Sequence, residues 1–208
     1  MSMDTIIRDI AVFDLGGVLI EWDPRHLYRK LFGDDEAAMD DFLARVCSPQ
    51  WHAQQDLGKA TAAACAELAA EHPGQAEMIN AWAVRNEEML AGVISGSVEV
   101  LAELRAAGTA CYALSNMEKE SFQRRLQLYD FLSWFDGCFI SSFEGVMKPD
   151  LEYFERALAR FGLSPADCLF IDDRAQNIEA ARSLGIPAVL FGSPEQLRAE
   201  LEGRGLLA

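Results

Sequence analysis

Short apolar runs recur along this chain at residues 10–13, 109–114, 138–140, 168–171 and 188–191, separated by stretches with helical punctuation. The runs are rich in Val, Ile, Phe and Cys and lack polar alternation. That is the pattern of strands buried on both faces of a parallel sheet. The stretches between them carry stop signals. Residues 97–107 place Val98, Leu101 and Leu104 on one face and end at Gly108. Residues 150–161 repeat this with Leu151, Phe154, Leu158 and Phe161 before Gly162, and residues 174–184 end at Gly185. Glycine is the usual left-handed helix stop. Ser164-Pro165 and Ser193-Pro194 look like capped helix starts. Alternating strands and helices predict an α/β fold with a Rossmann-like parallel sheet core.

One stretch breaks the alternation. Residues 21–92 contain no convincing strand, and Ala-rich helical segments fall at 24–32, 35–45, 61–71 and 75–90. The expectation is an all-helical cap over residues 21–92, inserted into a core built from residues 1–20 and 93–208. The charge narrows the partners: 18 Lys and Arg stand against 33 Asp and Glu, a net −15. Such a chain is a poor binder of nucleic acid and of anionic membrane surfaces. No apolar run approaches the ~20 residues of a membrane span. Residues 1–8 lack the basic-then-apolar order of a signal peptide. Cys47, Cys65, Cys111, Cys138 and Cys168 are odd in number, with no CxxC pair. They read as small buried hydrophobes, not as a zinc site or a disulfide framework, which with the missing leader suggests a cytoplasmic protein.

In an open parallel sheet, ligands bind beyond the carboxyl ends of the strands. The residues there are Asp14, Ser115-Asn116, Lys148 and Asp172-Asp173. Three carboxylates gathered at one edge repel each other unless a divalent cation lies among them. Hard oxygen ligands of this kind suit Mg²⁺, which also binds substrate phosphate. Lys148 offers a compact positive charge, Ser115 a hydroxyl donor, and Asp14 a carboxylate nucleophile.

Four local sequences carry a resemblance. They are Phe13-Asp14-Leu15-Gly16-Gly17-Val18-Leu19, Leu114-Ser115-Asn116, Lys148-Pro149-Asp150, and Phe170-Ile171-Asp172-Asp173-Arg174-Ala175-Gln176-Asn177. Each alone is weak. Together, in this order and each at a predicted strand end, they resemble the four motifs of the haloacid dehalogenase (HAD) superfamily across nearly the whole chain. Within it, the chain is most similar to the subgroup of sugar phosphatases acting on glucose 1-phosphate. The resemblance implies a HAD fold and a phosphatase of small phosphorylated metabolites. Asp14 would be the catalytic nucleophile, with Mg²⁺ held by Asp14, the Gly16 carbonyl, Asp173 and, directly or through water, Asp172. Asn177 would orient the acidic loop. Ser115, Asn116 and the catalytic Lys148 would bind the phosphoryl group.

The sequence departs from the family pattern at Gly16, where typical family phosphatases carry an Asp that protonates the leaving group. Such a group is commonly worth ~10²–10⁴ in rate. A good leaving group, or a proton from Asp23 or His52 in the cap, would compensate. The same glycine motivates two alternatives, a 2-haloacid dehalogenase and a non-catalytic phosphate-binding module. A phosphomutase-type transfer is a weaker reading. The plainer readings are helix capping for Ser115-Asn116 and for one of Asp172-Asp173, a helix start for Asp23, packing for Trp51 and His52, and a solvated face for Arg124-Arg125. Trp22, Trp51, Trp82 and Trp134 are candidates either to stack on a sugar or to pack. Oligomeric state is not legible in the sequence.

Overall fold

The computed structural model describes residues 10–207. The reading of residues 1–8 as lacking a leader, and the first nine residues of the expected core, lie outside the described residues.

The chain opens with β1 (Ile10–Phe13), then β2 (Ile20–Trp22). Five helices follow: α1 (Arg25–Phe32), α2 (Glu36–Arg45), α3 (Pro49–Asp56), α4 (Thr61–Glu71) and α5 (Ala76–Val84). After them come β3 (Leu90–Val93), α6 (Ser95–Ala106), β4 (Cys111–Ser115), α7 (Lys119–Leu128), β5 (Gly137–Ile140) and the short α8 (Ser141–Glu144). The chain closes with α9 (Leu151–Phe161), β6 (Cys168–Asp172), α10 (Ala175–Ser183), β7 (Ala188–Leu190) and α11 (Pro194–Gly203).

The five expected strands form one parallel sheet in the order β5-β4-β1-β6-β7. The central strand shows why these runs lack polar positions. Ala11 and Phe13 pack into one apolar cluster with Val100, Leu104, Leu197 and Leu201 of α6 and α11. Val12, between them, packs on the other face with Phe154, Ala157, Ile178 and Ala181 of α9 and α10. Side chains alternate across a strand, so covering both faces demands apolar residues at every step. The order puts β1 in the middle, with later strands added on either side. The carboxyl ends of β4, β1 and β6 therefore meet at one edge.

Helices α1–α5 have a core of their own, including Leu27, Tyr28, Phe42, Trp51, Leu68, Ile79 and Trp82. The expectation that residues 21–92 hold no strand fails at both margins. Ile20 pairs with Val93, Glu21 with Gly92 and Trp22 with Leu90 in an antiparallel ribbon. The chain leaves the sheet and returns to it side by side, so these backbones satisfy each other, but three or four residues are too few to display a period of two. The expected helix over 75–90 stops at Val84. A 3₁₀ turn at Asn86–Met89 follows, with Asn86 buried and bonded to Glu118 and Ser121. The helix expected after Ser164-Pro165 is one 3₁₀ turn, Pro165–Asp167, running straight into β6. Helix α3 has no counterpart among the expected segments. Its start is Ser48, whose hydroxyl accepts from the Trp51 amide, followed by Pro49 at the first turn. Its inward positions include Gln55 and Asp56, so it has no apolar period to read. All five cysteines are free, and Cys138 alone is not fully buried. Among the described residues no helix is long and apolar enough to cross a membrane.

Candidate active site

Asp14 follows β1 directly and is 7% exposed. Its amide donates to the Ile171 carbonyl of β6 at 2.8 Å, which continues the sheet one step past the strand. Oδ1 accepts from the Leu15 amide at 2.6 Å, leaving Oδ2 for Lys148 Nζ at 2.9 Å. Lys148 lies in the loop between α8 and α9 and is 2% exposed. Its ammonium also donates to Asp172 Oδ2 at 2.7 Å and to the Leu114 carbonyl at 2.9 Å. Three acceptors fill the three donors of an ammonium, so its position is fixed.

Asn116 holds the lysine from behind. Its Nδ2 donates to the Lys148 carbonyl at 2.8 Å, and its Oδ1 accepts from the Lys148 amide at 2.9 Å. This cross-link spans 32 residues. It ties Asn116 to the Lys148 backbone, a contact that its place in the sequence does not suggest. Ser115 ends β4 and is 1% exposed. Its carbonyl, with that of Phe139, is held by the buried Tyr153 hydroxyl at 3.2 and 2.7 Å.

Asp172 ends β6 and is fully buried. Beyond Lys148, it accepts from the Arg174 amide at 2.8 Å, and Asn177 Nδ2 lies 3.0 Å from each carboxylate oxygen. Asp173, next in the chain, is exposed. Asp14, Asp172 and Asp173 each present an oxygen within a 4.8 Å spread. Gly17, with φ +74°, lies against the Asp173 carboxylate, where a Cβ would collide with Oδ2. Glycine is therefore required there both by backbone and by space.

Three carboxylates and one ammonium leave an excess of two negative charges. The cost is visible in Asp14, whose pKa is pushed up to about 7, chiefly by burial and further by Asp172, against the opposing pull of Lys148. Asp173 is also raised, first by partial desolvation of its carboxylate and then by Asp172. A hard divalent cation matches both the oxygen donors and the missing charge, so these residues fit a Mg²⁺ site.

The residues meet in a cavity of about 200 Å³, whose walls include Asp14, Gly16, Ser115, Asn116, Lys148, Asp173 and Asn177. The structure brings to the same walls several groups that sequence reasoning missed: Asp56, Glu118, Arg125 and Arg174. His52, read mainly as packing, also faces the cavity. Its ring stacks on Trp22 at 5.2 Å, and its Nε2 is 3.8 Å from Asp56 Oδ1. Asp56 is 7% exposed, and burial raises its pKa from its ordinary value against the opposing pull of His52. The signals available for these two were the Ser48-Pro49 cap and the i, i+4 spacing of His52 and Asp56. Asp23 is not on the cavity wall; its Oδ1 accepts from the Arg25 amide at 2.8 Å, as a helix start does. The solvated face expected for Arg124-Arg125 is half wrong. Arg124 is exposed, but Arg125 is 6% exposed, on the inward stripe of α7 with Ser121 and Phe122. Of the four tryptophans, Trp51 and Trp82 are buried in the α1–α5 core, Trp134 packs on the sheet side, and Trp22 reaches the cavity.

Known proteins place this geometry. The chain is 29% identical over 176 residues to the sesquiterpene phosphatase astK of Aspergillus oryzae, covering 85% of this chain and 86% of the relative. It is 30% identical over 115 residues to flavin mononucleotide hydrolase 1 of Arabidopsis thaliana, covering 54% of this chain but only 46% of that protein. Among solved structures, a HAD family enzyme of Bacteroides thetaiotaomicron in complex with magnesium and inorganic phosphate superposes with a TM-score of 0.67. That match has 23% identity and covers 89% of this chain and 94% of the other, which speaks for the fold. The model of the haloacid dehalogenase-like hydrolases matches residues 9–185, from β1 through the Asp172-Asp173 loop and α10, and the chain belongs to that family of hydrolases.

Proposed function

We propose that this hydrolase is a magnesium-dependent phosphomonoesterase that acts on a small phosphorylated metabolite through Asp14. The observation that carries the reading is the grouping of Asp14 with Asp172, Asp173 and Lys148 at one sheet edge. The phosphatase and hydrolase activities named for the two relatives support phosphoester chemistry.

In this reading Asp14 attacks phosphorus in line. A bond forms from its carboxylate oxygen to phosphorus as the ester oxygen departs with the bonding pair. Water then cleaves the aspartyl-phosphate, releasing phosphate and restoring Asp14. Lys148 holds the attacking carboxylate and offsets charge on the phosphoryl oxygens, with Ser115 as a further donor. Mg²⁺, held by Asp14, Asp173, the Gly16 carbonyl and Asp172 directly or through water, would neutralise the phosphoryl group and orient it. Asn177 keeps the Asp172 carboxylate aimed at Lys148. The α1–α5 segment acts as a cap, and the proton missing at Gly16 comes from its His52–Asp56 pair. Burial raises the Asp56 pKa above its ordinary value, the direction that suits a proton donor to a leaving oxygen.

The dehalogenase alternative fares worse. Without a cation, Asp172 and Asp173 beside Asp14 would repel an anionic haloacid. The test is phosphate release from a panel that includes glucose 1-phosphate and a nitrophenyl phosphate, with Mg²⁺ and with a chelator. Magnesium-dependent release supports the reading. No release from any ester, or chloride release from a 2-chloroacid without Mg²⁺, overturns it.

A further inference from the structure

Among the described residues, Arg125 is the one buried cation of the cavity with no ion pair and no hydrogen bond. It is 6% exposed, it lines the cavity, and among the described residues no carboxylate oxygen lies within 4.0 Å of its guanidinium. No acceptor among those residues takes a hydrogen bond from it either. The neighbouring ionisable groups have hydrogen-bond or ion-pair partners of their own. Lys148 has its three acceptors. Glu118 accepts from the Thr61 hydroxyl and, at 3.1 Å, from Asn86 Nδ2. Asp56 is partnered by His52. Burial draws the Arg125 guanidinium below its ordinary value, yet an arginine stays charged at neutral pH. A buried, unpaired ion is costly and is normally retained for something that pairs with it.

Its place says what that is. Arg125 interacts at longer range with Glu118, ahead of α7, and with Asp56 of α3. The Thr61–Glu118 bond ties α4 to this same spot. This is the seam between the α1–α5 segment and the sheet domain, on the walls of the same cavity as Asp14 and Lys148. A guanidinium presents a fork of donors suited to a carboxylate or a phosphate.

We propose that Arg125 binds a second anionic group, on the leaving-group side of the substrate. The substrate class is then a small phosphomonoester that also carries a carboxylate or a second phosphate. The inference rests on the phosphatase reading of the same cavity. At about 200 Å³ the cavity falls below the ~300–1,000 Å³ of sites for drug-sized ligands, which fits a leaving group of a few carbons.

Non-hydrolysable probes separate this from turnover. With Mg²⁺ present, calorimetry compares methylphosphonate, phosphonoacetate, and 1,2-ethylenediphosphonate. The first has no second anion, the second adds a carboxylate, and the third a phosphonate. Phosphonoacetate or the diphosphonate binds wild type at least about tenfold tighter than methylphosphonate, as a charge-assisted hydrogen bond implies. Arg125→Gln abolishes that advantage and leaves methylphosphonate within about threefold of wild type, since it removes no phosphoryl contact. Which probe gains distinguishes carboxylate from phosphate. Equal affinities in wild type, or an advantage that survives Arg125→Gln, overturn the proposal while leaving the phosphatase reading intact. Failure of all three to bind overturns the phosphoryl site itself. If Arg125→Gln does not fold, Arg125→Lys replaces it: an advantage that falls supports the proposal, because lysine lacks the fork of donors, and an advantage fully kept overturns it.

Discussion

Replacing Lys148 with methionine keeps most of the unbranched side chain and deletes its charged end. The structure sets the size of the effect. Lys148 is 2% exposed, and its ammonium sits 2.9 Å from Asp14, 2.7 Å from Asp172 and 2.9 Å from the Leu114 carbonyl. Removing one partner of a buried ion pair costs about 3–5 kcal/mol, because the surviving charge is left buried. Here two carboxylates survive. Asp172 retains the Arg174 amide and Asn177, and Asp14 opens to the cavity and can take up a proton. The expected loss for the metal-free chain is therefore about 3–5 kcal/mol, not twice that. Urea unfolding followed by circular dichroism reads it. With a slope near ~2 kcal/mol per molar, the midpoint falls by about 2 M. Excess Mg²⁺ narrows the gap, because without Lys148 the site carries one more net negative charge and holds the cation more tightly than wild type, and the stabilisation, about 2.7 kcal/mol at a hundred times the dissociation constant, grows with affinity. A loss below about 1 kcal/mol without metal would refute the reasoning. So would a gap between variant and wild type that magnesium leaves unchanged.

Other expectations follow from the glycines and from α3. A Cβ at Gly16 would meet no atom within 4 Å, so Gly16→Asp should fold and raise turnover of a poor leaving group by about 10²-fold, with little effect on nitrophenyl phosphate. Asp56→Asn should do the reverse, slowing alkyl phosphate hydrolysis and sparing the nitrophenyl ester, and Gly16→Asp should restore what it loses. At Gly17, by contrast, φ is +74° and a side chain would strike Asp173. Gly17→Ala should cost about 1–2 kcal/mol in unfolding experiments and weaken magnesium binding, seen as a higher Mg²⁺ requirement for thermal stabilisation.

Much of the architecture was legible because burial on both faces writes itself into a strand. Val12 and Phe13 face opposite layers, and no polar residue survives at either position. The site residues were legible for a topological reason: Asp14, Ser115 and Asp172 stand where strands end, and the strand order brings those ends together. What stayed hidden depends on contacts between distant segments. Arg125 follows Arg124 in a polar helix, and only the packing of α7 turns one inward and the other out. Asn116 was legible as a residue of the pocket and lines the cavity, but its grip on the Lys148 backbone, a contact 32 residues away, was not. Helix α3 turns Gln55 and Asp56 inward, so its buried face carries none of the apolar periodicity that marks a helix.

The central claim is that Asp14 is the nucleophile, and trapping its phosphorylated form tests it most directly. The wild-type protein is quenched in acid during turnover of its best ester with Mg²⁺, digested, and mapped by mass spectrometry. The account predicts a phosphoryl group on the peptide bearing Asp14, absent when a chelator replaces magnesium, and no phosphate release by Asp14→Asn. Phosphate on another residue, or undiminished release by a clean preparation of Asp14→Asn, would contradict it.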